Sequence, residues 1–310
     1  MVVDRASSTR IVPRDPVTAF GIGNVATTGP TTVRAEQQVS TDLVDHRGRI
    51  DLPALAVLFD HLGGLPYFAS DPDGSPCVQA RLAISMQGGV DVGDRLTANA
   101  ELLMHDEAFG TTRVDIVTST GRICSSGTAR NVAVGRTFDH NPTGDRGAAA
   151  PPGNSDLPGL PLPPAIEPGL DGRVIIEQIA AGTRAAGNLT ELLNGRVDTV
   201  DHPLGTGVRF TVGTEPWMGN VFGTMHGGII AAAVAQGCSF AGQANAAAGR
   251  DYQVADLAIC FLRSPAVQGA DVVVEVTPVK IGRRVASFDA AMHAHDGTLL
   301  SRCSADVHYR

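Results

Sequence analysis

Apolar and polar positions alternate with a period of two along much of this chain, and the pattern occurs twice. In the first half, Val33–Val39, Arg95–Leu103, Thr112–Thr118 and Ile123–Val134 read as strands that bury one face. In the second, Gly207–Gly213, Asp271–Val279, Arg284–Ala291 and Leu299–His308 read the same way. After the first strand of each half comes a polar turn, Asp45–Arg49 or Glu215–Gly223, and then an apolar helical run, Ala54–Leu62 or Ile229–Ala241. A shift of 175 places Gly48 on Gly223 and Ala54 on Ile229. A shift of 176 places Val78 on Val254, Gly93 on Gly269, Gly121 on Gly297 and Ala129 on Ala305. An offset that drifts by one residue over a domain's length predicts a duplicated unit. A helix followed by a run of strands makes each unit α+β.

Between Asn141 and Pro168 the chain is rich in Pro and Gly and poor in large apolar residues, so it can build no core of its own. This predicts a first unit over 16–140, a linker over 141–174 and a second unit over 175–310. Ile175–Leu193, with Ile-Ile-x-x-Ile spacing, predicts an extra helix ahead of the second unit.

Bulk properties narrow the function. The 310 residues carry a formal net charge of −8, which argues against nucleic-acid binding through a broad basic face. Five cysteines lie without metal-ligand spacing, the pattern of reduced thiols in a cytoplasmic protein. The N-terminus has no apolar signal region and no run is long enough to span a bilayer, so no membrane partner is expected.

The densest chemistry is Asn220-Val-Phe-Gly-Thr-Met-His226-Gly227-Gly228, which runs straight into the apolar segment Ile229–Ala235. Two glycines at a helix N-terminus expose unpaired amide N–H groups at the positive end of the helix dipole. Glycine lets a ligand approach that bare backbone, which suits an anion or a developing oxyanion. A plain turn between strand and helix is the competing reading.

Asn220-x-x-Gly223-x-x-His226-Gly227-Gly228 before an Ala-rich helix resembles the hotdog-fold acyl-CoA thioesterases of the PaaI-like group. Phe261–Ala266, Gly282-Arg283-Arg284 and the segment from Asp296 onward are similar to that group too, so the resemblance covers roughly 195–310. It implies a long antiparallel sheet wrapped around a central helix, two such units meeting to form the active sites. For this chain that is a double hotdog, α+β in class, hydrolysing an acyl-CoA without cofactor or metal. Chains of such proteins associate further, so a homo-oligomer is implied.

In that family a carboxylate stands seven residues after the second glycine and faces the glycines of the partner unit. Here that position is Ala235, but its counterpart in the first half, 235 − 175, is Asp60. Conversely His226, Gly227 and Gly228 fall on Asp51, Leu52 and Pro53. Each half lacks what the other keeps, which predicts one site per chain, with Asp60 facing Gly227. Asp60 would act as general base or nucleophile and the Gly227 N–H would hold the thioester oxygen. Gly228 completes the turn, His226 shapes it, and Asn220 would orient water or carbonyl. Gln79 falls where the family places a polar residue beside the carboxylate. Arg263, Arg283 and Arg284 are candidates for contact with CoA phosphates. His46 and His61 read as surface histidines. The small residues Ala231, Ala232, Ala233 and Gly237 would leave room for an acyl group. A non-catalytic acyl-thioester binder and a hotdog hydratase or dehydratase are the competing functions. The second is disfavoured because Asp251–Asp256 has no histidine at the hydratase spacing.

Overall fold

The computed structural model describes residues 12–70, 76–135 and 159–310. Its first unit holds a short helix α1 (Pro16–Ala19), strands β1 (Ile22–Gly29) and β2 (Thr32–Gln38), helix α2 (Ala56–Ser70), and strands β3 (Cys77–Met86), β4 (Arg95–His105), β5 (Phe109–Thr118) and β6 (Ile123–Ala133). Two helices follow, α3 (Gly172–Ala180) and α4 (Asn188–Leu192). The second unit repeats the first as β7 (Gly195–His202), β8 (Gly205–Gly213), α5 (Gly227–Ala244), β9 (Tyr252–Phe261), β10 (Asp271–Ile281), β11 (Val285–Ala294) and β12 (Leu299–Tyr309).

All twelve strands form one antiparallel sheet in the order β1-β2-β4-β5-β6-β3-β9-β12-β11-β10-β8-β7. Read inward from either edge, the order is the same once six is subtracted from the second unit's labels. The units meet at β3 and β9, where Ala83 stands opposite Ala258 and Arg81 opposite Cys260.

Both central helices lie on the inner face of the sheet. Every residue of α5 from Gly228 to Ala244 is buried, as befits a helix that is apolar all round. It packs on α2, which buries Ala56–Asp60 and Leu62. Asp60 meets the start of α5, while His46, ahead of α2, meets Gln243 near its end, so the helices run antiparallel.

Several expectations need adjusting. Strands β1, β3, β7 and β9 fall outside the runs that read as strands in the sequence, and β1 and β7 alternate only weakly. Helix α2 runs eight residues past Leu62, through Gly63, Gly64 and Pro66. Gly63 is kept by packing, since a Cβ there would lie 2.6 Å from that of Ala129. The single helix expected over 175–193 is two helices. Gly182 and Gly187 adopt left-handed backbone conformations that interrupt it, at φ +70° and +91°. Helix α3 also starts at Gly172, inside the stretch read as linker; most of that linker lies outside the described residues.

Candidate active site

Asp60 sits on the second turn of α2 with 6% of its surface exposed. A Cβ built on Gly227 would lie 2.6 Å from its Oδ1, and one on Gly228 would lie 2.6 Å from the Val57 Cα. The two glycines therefore do local mechanical work, letting the start of α5 press its backbone against α2. His226 caps that helix, its Nδ1 accepting from Gly228 N–H at 3.0 Å. The Gly227 N–H, first of the helix, has no hydrogen-bond partner among the described residues.

The carboxylate is poorly compensated. Its Oδ1, the atom nearest Gly227, is buried without a hydrogen-bond partner, and its Oδ2 lies 3.2 Å from His226 Nδ1. Burial pushes the Asp60 pKa up to about 7, and the Gly228 N–H offsets only part of that rise. Because Nδ1 accepts from Gly228, the neutral imidazole carries its proton on Nε2. With that lone pair committed to Gly228, a neutral His226 offers Asp60 Oδ2 no hydrogen bond from Nδ1.

The other expected residues are placed as follows. Asn220 spends its Oδ1 on its own loop, accepting from the N–H of Phe222 (2.9 Å) and from the N–H and hydroxyl of Thr224 (both 3.2 Å). That makes it a turn-former that sets the approach to His226. Gln79 does not reach the Asp60 side chain; its Nε2 donates to the Asp60 backbone carbonyl, anchoring α2 to β3. Arg263 is exposed just beyond β9, two residues before Pro265, whose carbonyl accepts from Met225 N–H.

Arg283 and Arg284 are at the wrong end for this site. Their turn joins β10 to β11, where the Arg283 carbonyl accepts from Arg250 and the Arg284 carbonyl from Tyr309 N–H. Tyr309 in turn donates to Gly242, near the C-terminus of α5. With 18 residues in α5, that end lies about 25 Å from His226. Two further corrections concern histidines. His46 is fully buried, stacked on Phe240 at 5.3 Å and bonded to Gln243. His61 is half-buried, with its ring 6.4 Å from that of His226. Gly237 opens no acyl space, for a Cβ there would meet Val274, Val276 and Phe210.

The residues that the repeat pairs with this site stand toward the opposite end of the helix pair. Leu52 and Pro53 are fully buried, the Leu52 N–H is bonded to Asp51 Oδ1 at 2.8 Å, and Ala235 offers no polar atom. In place of an amide pocket stands a buried ion network. Arg47 binds Asp45 (Nε, 2.8 Å), Asp51 (3.1 Å) and Asp251 (3.3 Å) and lies over the Tyr252 ring at 3.6 Å. Burial raises Asp51 to about 6 against the pull of Arg47 and lowers His46 to about 4. The α3–α4 segment closes this end. Gly187 packs directly on the Asp45–His46 backbone, and Leu189 N–H donates to the Val44 carbonyl.

Residues 222–301, which include His226, match the family model described as the thioesterase superfamily. The chain is similar in structure to a protein from Novosphingobium aromaticivorans assigned as a thioesterase, at 14% identity, covering 92% of this chain and 97% of that one, with a TM-score of 0.58. It is similar to a hot dog fold protein of unknown function from Alicyclobacillus acidocaldarius at 11% identity, covering 95% and 97%, with a TM-score of 0.58. It is also similar to acyl-CoA thioesterase II TesB2 from Mycobacterium marinum at 13% identity, covering 95% and 96%, with a TM-score of 0.52. No protein of curated function matches its sequence. These likenesses show the hotdog fold, and with the family match they bear out the superfamily resemblance carried by the residues around His226. No helix among the described residues is long and apolar enough to cross a membrane.

Proposed function

We propose that this chain, whose residues 222–301 match the thioesterase superfamily, is a fused double hotdog that hydrolyses an acyl-CoA thioester at a single site between its units. The observation that carries the reading is the meeting of a buried carboxylate from one unit with the bare helix N-terminus of the other. Asp60 supplies an orphaned oxygen on a group that titrates near neutrality, and Gly227 supplies an unpaired N–H on a residue packed so closely that an added Cβ would strike that oxygen.

The chemistry follows from that pairing. The thioester oxygen accepts from Gly227 N–H, where the helix dipole favours the charge that develops on it. Ionised Asp60 takes a proton from water as the water oxygen bonds to the carbonyl carbon. Collapse of the tetrahedral adduct breaks the C–S bond and the thiol leaves, protonated, with the proton Asp60 took up. His226 holds the turn; Asn220 and Gln79 fix the loop and the helix. Arg263, on the same side, remains a candidate contact for the CoA phosphates. The opposite pairing lacks both carboxylate and amide, so one chain has one site. The unit boundaries at 140 and 175, a cytoplasmic setting and assembly with further copies belong to the same proposal, and rest on the sequence pattern and the resemblance.

The test is a panel of short, medium and aromatic acyl-CoAs with release of free thiol as readout, run on the wild-type protein and on Asp60→Asn. Turnover that Asp60→Asn loses supports the reading. Tight acyl-CoA binding with no turnover on any substrate would instead favour a non-catalytic binder.

A further inference from the structure

The outer face of the sheet carries a charge pattern that the site itself does not use. Arg130 on β6 stands opposite Arg81 on β3, Arg81 stands opposite Cys260 across the seam, and Cys260 stands opposite Arg302 on β12. Directly paired residues share a face, so this register lays three arginines in one row about 15 Å long. All three are exposed, while their neighbours Leu82, Ala129 and Cys303 are buried toward the helices. Arg81 is aimed outward by a bulge at Ala80, which breaks the alternation and leaves Gln79 facing α2.

The row sits at the Asp60 end of the sheet. Gln79, bonded to the Asp60 carbonyl, is two residues from Arg81 on the same strand. Cys260 is one residue from the end of β9, beyond which Arg263 is exposed and Pro265 pairs with Met225, next to His226. None of these four arginines forms an ion pair among the described residues, although the chain has an excess of acid. Arg81 and Arg130 also border a hollow of about 210 Å³ floored by Ala83 and Ala129 and edged by Thr111 and Thr128.

The same place in the other half is reversed in sign. The bulge recurs at Ala255, and the positions equivalent to Arg81 and Arg130 are Asp256 and Asp306, again opposite one another and beside Ser85 across the seam. A larger hollow of about 390 Å³ lies there, but Asp256, Asp289 and Asp306 line it. The end with the carboxylate–glycine pair is thus basic outside, and the end without it is acidic. A phosphate is drawn to the first and repelled from the second.

Resting on the thioesterase reading, we propose that Arg81, Arg130 and Arg302, with Arg263 beside them, bind the nucleotide phosphates of the CoA thioester on the outer face of the sheet. From there the pantetheine arm turns around the end of β9 to reach Asp60. The arrangement selects one orientation of substrate and one end of a nearly symmetric sheet.

The test compares kcat/KM for an acyl-CoA with that for the same acyl group on pantetheine, which lacks the nucleotide. In Arg81→Ala/Arg130→Ala the ratio of the two falls tenfold or more. In Arg81→Asp/Arg130→Asp, which puts the acidic end's residues in place, it falls further, and added salt narrows the wild-type ratio. Arg283→Ala/Arg284→Ala leaves the ratio as it was. A ratio unchanged in both Arg81/Arg130 variants, or lowered equally by the Arg283/Arg284 variant, overturns the proposal. So does a loss confined to thioesters of an acyl carrier protein, which would make the row a protein-docking face. Calorimetric binding of adenosine 3′,5′-bisphosphate, weakened tenfold or more in Arg81→Asp/Arg130→Asp, decides the row independently of turnover. If the wild-type protein hydrolyses no thioester yet binds this probe through the row, the catalytic reading fails and the phosphate site stands.

Discussion

Gly227→Ala isolates the contact on which the proposed chemistry depends. The added methyl would stand 2.6 Å from Asp60 Oδ1 and 3.1 Å from both Cγ and Oδ2, where ordinary contact begins near 3.4 Å. The carboxylate must therefore retreat by about 0.8 Å, or the helices must part by as much. Displacements of that size at a reacting group cost roughly a hundredfold in rate. Stability shifts less, because an overpacking penalty of about 1–3 kcal/mol is partly offset by alanine's higher helix propensity, about 1 kcal/mol. The clash and the rate loss are separable by a double-mutant cycle. Asp60→Ala removes the atoms the methyl would strike, so urea unfolding of Gly227→Ala, Asp60→Ala and the double variant should show coupling of about 1–2 kcal/mol. Thiol release gives the rate in parallel. A Gly227→Ala protein with wild-type kcat and no coupling to Asp60 would refute the geometry and the catalytic role together.

Four further outcomes follow from the site. Asp60→Asn lowers kcat about a hundredfold or more, and wild-type kcat/KM rises with pH through about 7 as Asp60 ionises, then levels off. Because the folded-state pKa of Asp60 is raised, the wild-type protein loses stability as pH climbs from about 4 to 7; Asp60→Asn should melt near wild type at pH 4 and above it at pH 8. Ala235→Asp puts a charge at a fully buried position, and Leu52 and Pro53 stand where glycines would be needed, so active-site titration should still count one equivalent per chain, with a lowered Tm. Arg47→Met strands Asp45 and Asp51 in the interior and should cost about 3–5 kcal/mol by denaturant unfolding, with Asp251 adding little because it is partly exposed.

The sequence carried the repeat because duplication leaves two copies of each turn, and Gly48, Gly93, Gly121, Gly223, Gly269 and Gly297 all adopt the left-handed backbone their turns need. It also brought Asp60 opposite Gly227, once the resemblance had implied where a carboxylate stands, because the repeat offset carries that position into the first half. What it hid were features decided by distant partners. Gly63, Gly64 and Pro66 read as a helix end, yet packing under β6 and β3 carries α2 through them. His46 reads as polar surface, and only the far end of α5, nearly two hundred residues away, reveals why it is buried. Asn220 and Gln79 show another limit. Residue type and position pointed to the site, while the atom each bonds to depends on loop closure and on a one-residue bulge. The arginine row was invisible for a like reason, because its members come from three strands and share a face only through register.

The seam at β3 and β9 also bears on what substitutions this molecule can accept. In an assembly of two identical chains, any residue change strikes both ends of the helix pair at once. An arginine as deeply buried as Arg47 would then arrive at both ends, beside both of the carboxylates proposed to act, and Asp256 would bring its negative charge to both mouths. One continuous chain lifts that coupling: each end can mutate separately. On the proposed reading, with Leu52, Pro53 and Ala235 at the other end, building a second centre would need several simultaneous changes against a settled ion network. A single changed residue therefore adds no second centre, and each half works only with the other beside it.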